Sequence, residues 1–268
     1  MLTFSSPKIN LGLQILNKRP DGFHNLQSVF YPIKNWEDTL EIAENSDFSF
    51  TQSGLKIPGK TEDNLVVRAY NLLKKTYNLP NIKIHLHKTI PCGAGLGGGS
   101  SNAVSMLELI NSFFDLQIDE KKLFNFALEL GSDCPFFLKK KPQKVEGRGE
   151  ILSDINLDLS AYYITLIFPD LQISTAEAFQ NLSLLSPKKE SFFSIFDQPI
   201  ETWKEDLIND FEKNIFLKYP ILEEIKTKMY QNGAVYASMS GTGSVIYGIF
   251  KEKKSINIGF LEKNFSFD

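Results

Sequence analysis

Pro91-Cys-Gly-Ala-Gly-Leu-Gly-Gly-Gly-Ser-Ser-Asn102 is the stretch on which the fold turns. Glycines at this density let backbone N–H groups turn inward and approach a ligand with no Cβ in the way. Ser100 and Ser101 are expected to open a helix with an apolar stripe of Ala103, Leu107, Ile110 and Phe114. The unpaired N–H donors and positive dipole end of that helix would complete an anion site suited to a di- or triphosphate. The two common phosphate loops do not fit. Gly93, Gly95 and Gly98 satisfy G-x-G-x-x-G, but two helical patterns follow with no prompt return strand and no acidic residue at its end. Gly99-Ser100-Ser101 lacks the lysine of a Walker loop.

Upstream, Asn81 to Lys88 alternates as a strand, with Ile82, Ile84 and Leu86 on one side and Lys83, His85 and His87 on the other. From Thr61, a plausible N-cap, Leu65, Ala69, Leu72 and Leu73 are at helical spacing. Further back, Ile9, Leu11, Leu13 and Ile15 share one strand face, and Lys8, Asn10, Gly12 and Gln14 the other. The turn Arg19-Pro-Asp-Gly22 separates this strand from a second, Leu26 to Ile33.

Downstream, Asp119 is expected to cap a helix with Leu123, Ala127 and Leu130 inward and Gly131 as its stop. After Gly149 the texture changes. Tyr162 to Phe168 reads as a buried strand, and Thr175 to Leu182, Trp203 to Phe216 and Ile221 to Gln231 as helices. Ala234–Met239 and Val245–Phe250 are expected strands around a second glycine loop, Ser240-Gly241-Thr242-Gly243-Ser244. Helices and strands mix without a regular βαβ alternation. The expectation is an α+β protein of two domains, 1–152 and 153–268.

Composition narrows the functional classes. With 29 Lys+Arg against 32 Asp+Glu, the net charge of −3 gives no basic field for general nucleic-acid or anionic-membrane binding. Residues 89–107 and 229–250 carry no charge, but Gly, Ser, Thr or Asn interrupts each at its centre, against a membrane span. Met1 to Lys8 has neither a basic start nor an apolar run, so no signal peptide is expected. Cys92 and Cys134 form no C-x-x-C pair or disulfide framework, which favours a reducing, cytoplasmic setting.

Three side chains draw attention on chemical grounds. Asp133, in Gly131-Ser-Asp-Cys-Pro-Phe-Phe137, is either turn chemistry or a carboxylate able to orient a hydroxyl and take its proton. Lys8 is either a solvated strand-end charge or a cation that pairs with Asp133 or a phosphoryl oxygen. His24, beside Phe23 in a turn, suits base or sugar recognition. His85 and His87 lack a third ligand at metal spacing and read as an exposed strand face.

Together these pieces resemble the galactokinase, homoserine kinase, mevalonate kinase and phosphomevalonate kinase (GHMP) superfamily. Pro91 to Asn102 is similar to its signature loop. Pro7-Lys-Ile-Asn-Leu11, Arg19-Pro-Asp-Gly-Phe-His24, Gly131–Phe137, Glu146-Gly-Arg-Gly-Glu150, Ser174–Phe179 and Ser240–Ser244 are similar, in order, to one branch of it. The resemblance covers nearly the whole chain. It implies a ribosomal-protein-like α/β domain that binds ATP, followed by a ferredoxin-like domain. It implies Mg²⁺-dependent transfer of a phosphoryl group from ATP to the 2-hydroxyl of a cytidine diphosphate methylerythritol, in the non-mevalonate isoprenoid route. A homoserine- or mevalonate-type kinase is the alternative. The protein is expected to be a monomer or homodimer without nucleic-acid or membrane partners.

Carried over by resemblance, Asp133 and Lys8 are the catalytic pair. Asn10, Phe23, His24, Thr175 and Phe179 contact substrate, with His24 at the cytosine edge and Phe23 and Phe179 sandwiching the ring. Asn64, Leu65, Lys88 and Asn102 match the adenosine side. Pro91, Gly93, Gly95, Leu96, Gly97, Gly98, Gly99, Ser100 and Ser101 match the phosphate cradle, and Ser240, Gly241, Thr242 and Gly243 the second loop. Phe23 stands where tyrosine is common, which keeps stacking and removes a hydroxyl. No metal ligand is assigned.

Overall fold

The computed structural model describes residues 1–180 and 192–267. The chain divides into two compact units that are each discontinuous in sequence. One comprises Met1–Pro7, Asn35–Cys92 and Gly97–Lys140, and the other Lys8–Lys34, Gly93–Leu96 and Lys141–Asp268.

The first unit is a four-stranded sheet with helices. Strand β1 (Leu2–Ser5) pairs antiparallel with β4 (Asp38–Glu44), β4 with β6 (Ile82–Lys88), and β6 runs parallel to β5 (Ser49–Gly54). Ile82, Ile84 and Leu86 are buried, whereas Lys83 and His87 are exposed, as the alternation predicts. His85 and His87 bond to Thr51 and Ser53 at 2.8–2.9 Å along that outer face. Helices α1 (Leu65–Tyr77), α2 (Gly98–Phe113) and α3 (Glu120–Leu130) complete the unit. Their buried residues include Val66, Tyr70, Leu73, Leu107, Ile110 and Ala127; each buried Val, Leu or Ile is worth up to roughly 1.5–3 kcal/mol as it leaves water.

Asp119 caps α3 as expected, accepting from Lys122 N at 2.8 Å. Two other helix starts differ. A 3-10 turn occupies Thr61–Asp63, and the cap of α1 is Asn64, which accepts from Val66 N at 2.9 Å. Asn is as good a cap as Thr and sits directly before the first helical residue. Helix α2 begins at Gly98, two residues before Ser100, with Gly97 in the left-handed region and no side-chain cap.

The second unit holds two antiparallel sheets. In one, β2 (Lys8–Lys18), β3 (His24–Pro32), β7 (Gln143–Glu146) and β8 (Ile151–Asp154) pair in chain order. In the other the order is β10 (Tyr236–Met239), β11 (Ile246–Phe250), β9 (Tyr163–Phe168) and β12 (Leu261–Ser266). Leu13 and Ile15 share a core with Ile167, Phe211, Met239 and Ile246. The expected helix from Thr175 is a short one, α4 (Thr175–Phe179); residues 181 and 182 lie outside the described residues. The expected helix Trp203–Phe216 is two, α5 (Trp203–Asp206) and α6 (Glu212–Lys218). The break occurs because residues 207–211 turn back on β2, where Asp210 N donates to Leu13 O at 2.8 Å and Leu13 N to Ile208 O at 3.0 Å. Helix α7 (Pro220–Gln231) packs beside β10 and β11. No helix among the described residues is long and apolar enough to cross a membrane.

Candidate active site

The expected site residues fall into two sets, one in each unit. In the first unit, Asn64, Leu65, Lys88, Gly99 and Asn102 line a pocket of about 190 Å3 with Ile57, Pro58, Asp63, Leu86 and Cys92. The pocket therefore gathers the whole adenosine set that the resemblance implied. Its apolar walls suit a planar base, and its few polar groups suit orientation of one. Helix α2 starts at its edge. The first N–H groups of an α-helix have no partner within it, and here they belong to Gly98, Gly99 and Ser100. A Cβ on Gly98 would sit 3.0 Å from Ile90 Cγ2 and 3.2 Å from Lys88 Nζ, so glycine lets the helix start close over the end of β6.

Lys88 is buried and its ammonium pairs with the Asp38 carboxylate. Asp38 is fully buried at the start of β4. Its Oδ1 accepts from Thr89 N at 2.7 Å and Ile90 N at 2.9 Å, and its Oδ2 from Asn102 Nδ2 at 2.9 Å. Asn102 Oδ1 accepts from Lys88 Nζ at 3.1 Å, while Asn102 Nδ2 also donates to Ser5 Oγ at 2.6 Å. Sequence reasoning missed Asp38 and Ser5. Their partners are 50 to 97 positions away, and no local spacing signals that.

Asp133 is half-buried and immediately precedes a 3-10 turn, Cys134–Leu138. Its carboxylate makes no capping bond to that turn. Cys134 is buried beneath the start of α2, and burial pushes its thiol up to about 12, with a hydrogen bond to Ser100 pulling the other way. Burial therefore disfavours the thiolate, and Cys134 fits small apolar packing. Burial likewise raises the Cys92 thiol.

In the second unit Lys8 is 3% exposed, not a solvated strand-end charge. Its Nζ donates to Asn10 Oδ1 at 2.5 Å, lies 3.4 Å from Gly95 O, and sits 4.3 Å from the centre of the Phe30 ring. Its backbone is tied to the same loop, Lys8 N donating to Leu96 O at 2.9 Å. Asn10 Nδ2 donates to Ser28 Oγ at 3.1 Å, and Asn10 O accepts from Tyr247 Oη at 2.7 Å.

The second glycine loop locks against the first. Ser240 Oγ donates to Gly95 O at 2.8 Å and accepts from Asn10 N at 3.3 Å. A Cβ on Gly95 would lie 1.9 Å from Ser240 O, so only glycine permits the approach. Asn209, fully buried, donates through Nδ2 to Met239 O and Gly241 O, both at 2.8 Å. Sequence reasoning missed this clamp too.

The turn before His24 is built by its own side chains. Asp21 accepts from Phe23 N at 3.1 Å and Arg19 Nε at 3.0 Å, and the Arg19 bond holds the Asp21 carboxyl below its usual range. Phe23 is exposed on one side and carries the Arg148 guanidinium 4.8 Å from its centre on the other. Phe179 stacks on the His24 ring at 4.7 Å and packs edge-on to Phe211. Thr175 is exposed in the first turn of α4. Burial, with Lys18 adding, lowers the His24 pKa and favours the neutral imidazole.

This fold and glycine loop define a class. The chain matches the GHMP kinases N terminal domain family over residues 64–141 and the GHMP kinases C terminal family over residues 197–259. A 4-diphosphocytidyl-2-C-methyl-D-erythritol kinase of Bacteroides thetaiotaomicron is 50% identical over 260 residues, covering 96% of this chain and 94% of that protein. A crystal structure of a 4-(cytidine 5'-diphospho)-2C-methyl-D-erythritol kinase superposes with a TM-score of 0.79 at 29% identity, covering 92% of this chain and 89% of that one. A Methanococcus jannaschii mevalonate kinase shares the fold alone, with a TM-score of 0.71 at 14% identity, covering 98% and 97% of the two chains. The chain belongs to the 4-diphosphocytidyl-2-C-methyl-D-erythritol kinase family of the GHMP kinases.

Proposed function

We infer that this chain transfers a phosphoryl group from ATP to the 2-hydroxyl of 4-diphosphocytidyl-2-C-methyl-D-erythritol, a step of the non-mevalonate route to isoprenoid precursors. The observation that carries the chemistry is the Lys8 ammonium, buried on Asn10 and 3.4 Å from the carbonyl of Gly95. A buried cation fixed to a phosphate loop has a clear use in stabilising phosphoryl charge. The homoserine- or mevalonate-type alternative is not favoured, since such relatives share only the fold.

The reaction forms one O–P bond and breaks another. The 2-hydroxyl oxygen attacks the γ-phosphorus, ADP leaves, and the hydroxyl proton passes to Asp133. Any cation paired with that carboxylate would weaken it as a base. Phosphoryl transfer tolerates this, because its loose transition state has little bonding to the nucleophile and the proton can leave late. Positioning and charge stabilisation then dominate. Lys8 stabilises the moving phosphoryl group, and the N–H groups at the start of α2 hold the phosphates.

Mg²⁺ bound with ATP would supply further charge neutralisation. No cluster of three or more His, Cys, Asp and Glu fit to hold an ion occurs among the described residues. Such an ion would be brought to the site by the ATP phosphates, as is usual for Mg²⁺ in kinases. His24 reads the cytosine edge as a neutral imidazole, with Phe23 and Phe179 as stacking rings, Asn10 and Thr175 as polar contacts, and Ser240 to Gly243 shaping the second wall. The enzyme works in the cytoplasm, as a monomer or homodimer, without nucleic acid. Along the sequence its domains are read as 1–152 and 153–268, an order supported by the successive family matches, whereas the compact units interleave these segments, with Lys8–Lys34, Gly93–Leu96 and Lys141–Asp268 in one unit.

The test is ADP release, coupled to NADH oxidation, with the cytidylyl substrate beside homoserine and mevalonate. Turnover with the cytidylyl alcohol alone supports the assignment. Turnover with either of the others and none with it overturns it.

A further inference from the structure

The Asp38 hub sits behind the nucleotide pocket, and the mechanism above does not use it. We propose that Asp38 is a positioning residue for ATP: it holds Lys88 and Asn102, which line the pocket, at fixed places relative to the start of α2. This rests on the ATP-dependent reading of the pocket.

An ionised carboxylate has about four acceptor positions, and the structure gives Asp38 four donors: Thr89 N, Ile90 N, Lys88 Nζ and Asn102 Nδ2. Those donors come from the end of β6, the residues leading into the glycine loop, and the first turns of α2. One fully buried group therefore joins three segments that bound the pocket. The charge matters as much as the bonds. Asp38 neutralises Lys88, so the pocket wall presents a fixed ammonium without a net positive field. A wall of that kind, beside Ile57, Pro58, Leu65 and Leu86, suits the uncharged adenosine end of ATP better than its phosphates. An unpaired Lys88 in the same place would be a buried charge free to swing toward any anion.

A purely structural hub predicts something different. Its loss would lower the amount of folded enzyme and leave the affinity of the surviving molecules unchanged. Asp38→Asn keeps the acceptor facing Thr89 and Ile90, and places a donor or neutral group against Lys88 and Asn102. The expected result is a KM for ATP raised about thirtyfold, a fraction of what breaking a buried ion pair costs in stability. The KM for the cytidylyl substrate, and kcat at saturating ATP, stay within about twofold. Ser5→Ala is the gentler variant, since it removes a hydroxyl that accepts from Asn102 Nδ2 at 2.6 Å and donates to the Asp38 carbonyl only at the long distance of 3.5 Å. It should raise the KM for ATP about threefold, the scale of one neutral hydrogen bond.

A normal KM for ATP in Asp38→Asn, with only the melting temperature lowered, overturns the proposal. So does an equal rise in both KM values. If Asp38→Asn does not fold, Ser5→Ala decides, and an unchanged KM for ATP there counts against it. Calorimetric binding of a non-hydrolysable ATP analogue to both variants reads the same effect without turnover. Failure of the wild-type enzyme to phosphorylate the cytidylyl alcohol would strike the functional reading instead, and leaves that calorimetric comparison intact.

Discussion

The two glycine loops look alike in sequence and do different work. Residues 91–102 end in a helix, α2, whose first N–H groups face outward as donors. Residues 240–244 join two strands, β10 and β11, and are held by Asn209 through two carbonyls. The first loop supplies hydrogen-bond donors; the second supplies shape, with Ser240 O placed where any Cβ on Gly95 would be. Glycine thus serves two purposes, to leave backbone donors uncovered in one loop and to let two backbones meet.

The most severe way to break that arrangement is Gly95→Ala. The added methyl would meet Ser240 O at 1.9 Å on a residue with φ of +77°. The second loop must move or the first must, and roughly 2–4 kcal/mol of stability should be lost. Urea unfolding reads this directly, and kcat/KM should fall together with it.

Asn209→Ala attacks the clamp and leaves the contact. Two buried carbonyls lose their donor, at a cost of about 1–3 kcal/mol for each group left unsatisfied. A urea midpoint equal to that of the wild type would show that the second loop keeps its shape without Asn209.

A smaller effect concerns pH. Burial lowers the folded-state pKa of His24, so the unfolded chain binds that proton more readily. The stabilisation is present above about pH 6.5, the ordinary histidine value, and is lost as pH falls through the folded pKa. His24→Gln should therefore flatten the acid limb of a melting-temperature profile; an unchanged limb contradicts the assignment.

The smallest expectation is a null. Cys134, with its thiol pushed up to about 12, should resist iodoacetamide at pH 8 in the native enzyme, as read by mass spectrometry.

What was legible in the sequence follows the range of the forces involved. Asp119 announces its helix because its partner is Lys122, three residues on. The alternation in β6 is visible because one face is buried and the other is not. By contrast β5, Ser-Phe-Thr-Gln-Ser-Gly from 49 to 54, is mostly polar and becomes a strand only through parallel pairing with β6. The tail beyond Gly259 becomes β12 because β9 offers it an edge. The same rule governs the site. Lys8, Asn10, Lys88 and Asn102 stand in recognisable motifs, whereas Asp38 and Asn209 are defined by partners 30 to 64 residues away. Residues with a local motif were readable; those defined by distant partners were not.

The central claim to test is Asp133 as the residue that orients the 2-hydroxyl and takes its proton. Rapid-quench single turnovers of Asp133→Asn, with enzyme in excess over ATP, measure that step alone. The phosphoryl-transfer rate should fall about 10³-fold, within the range for loss of a general base, while ATP analogue and cytidylyl substrate still bind within about threefold of the wild-type affinities. A variant that transfers the phosphoryl group at the wild-type rate would contradict it.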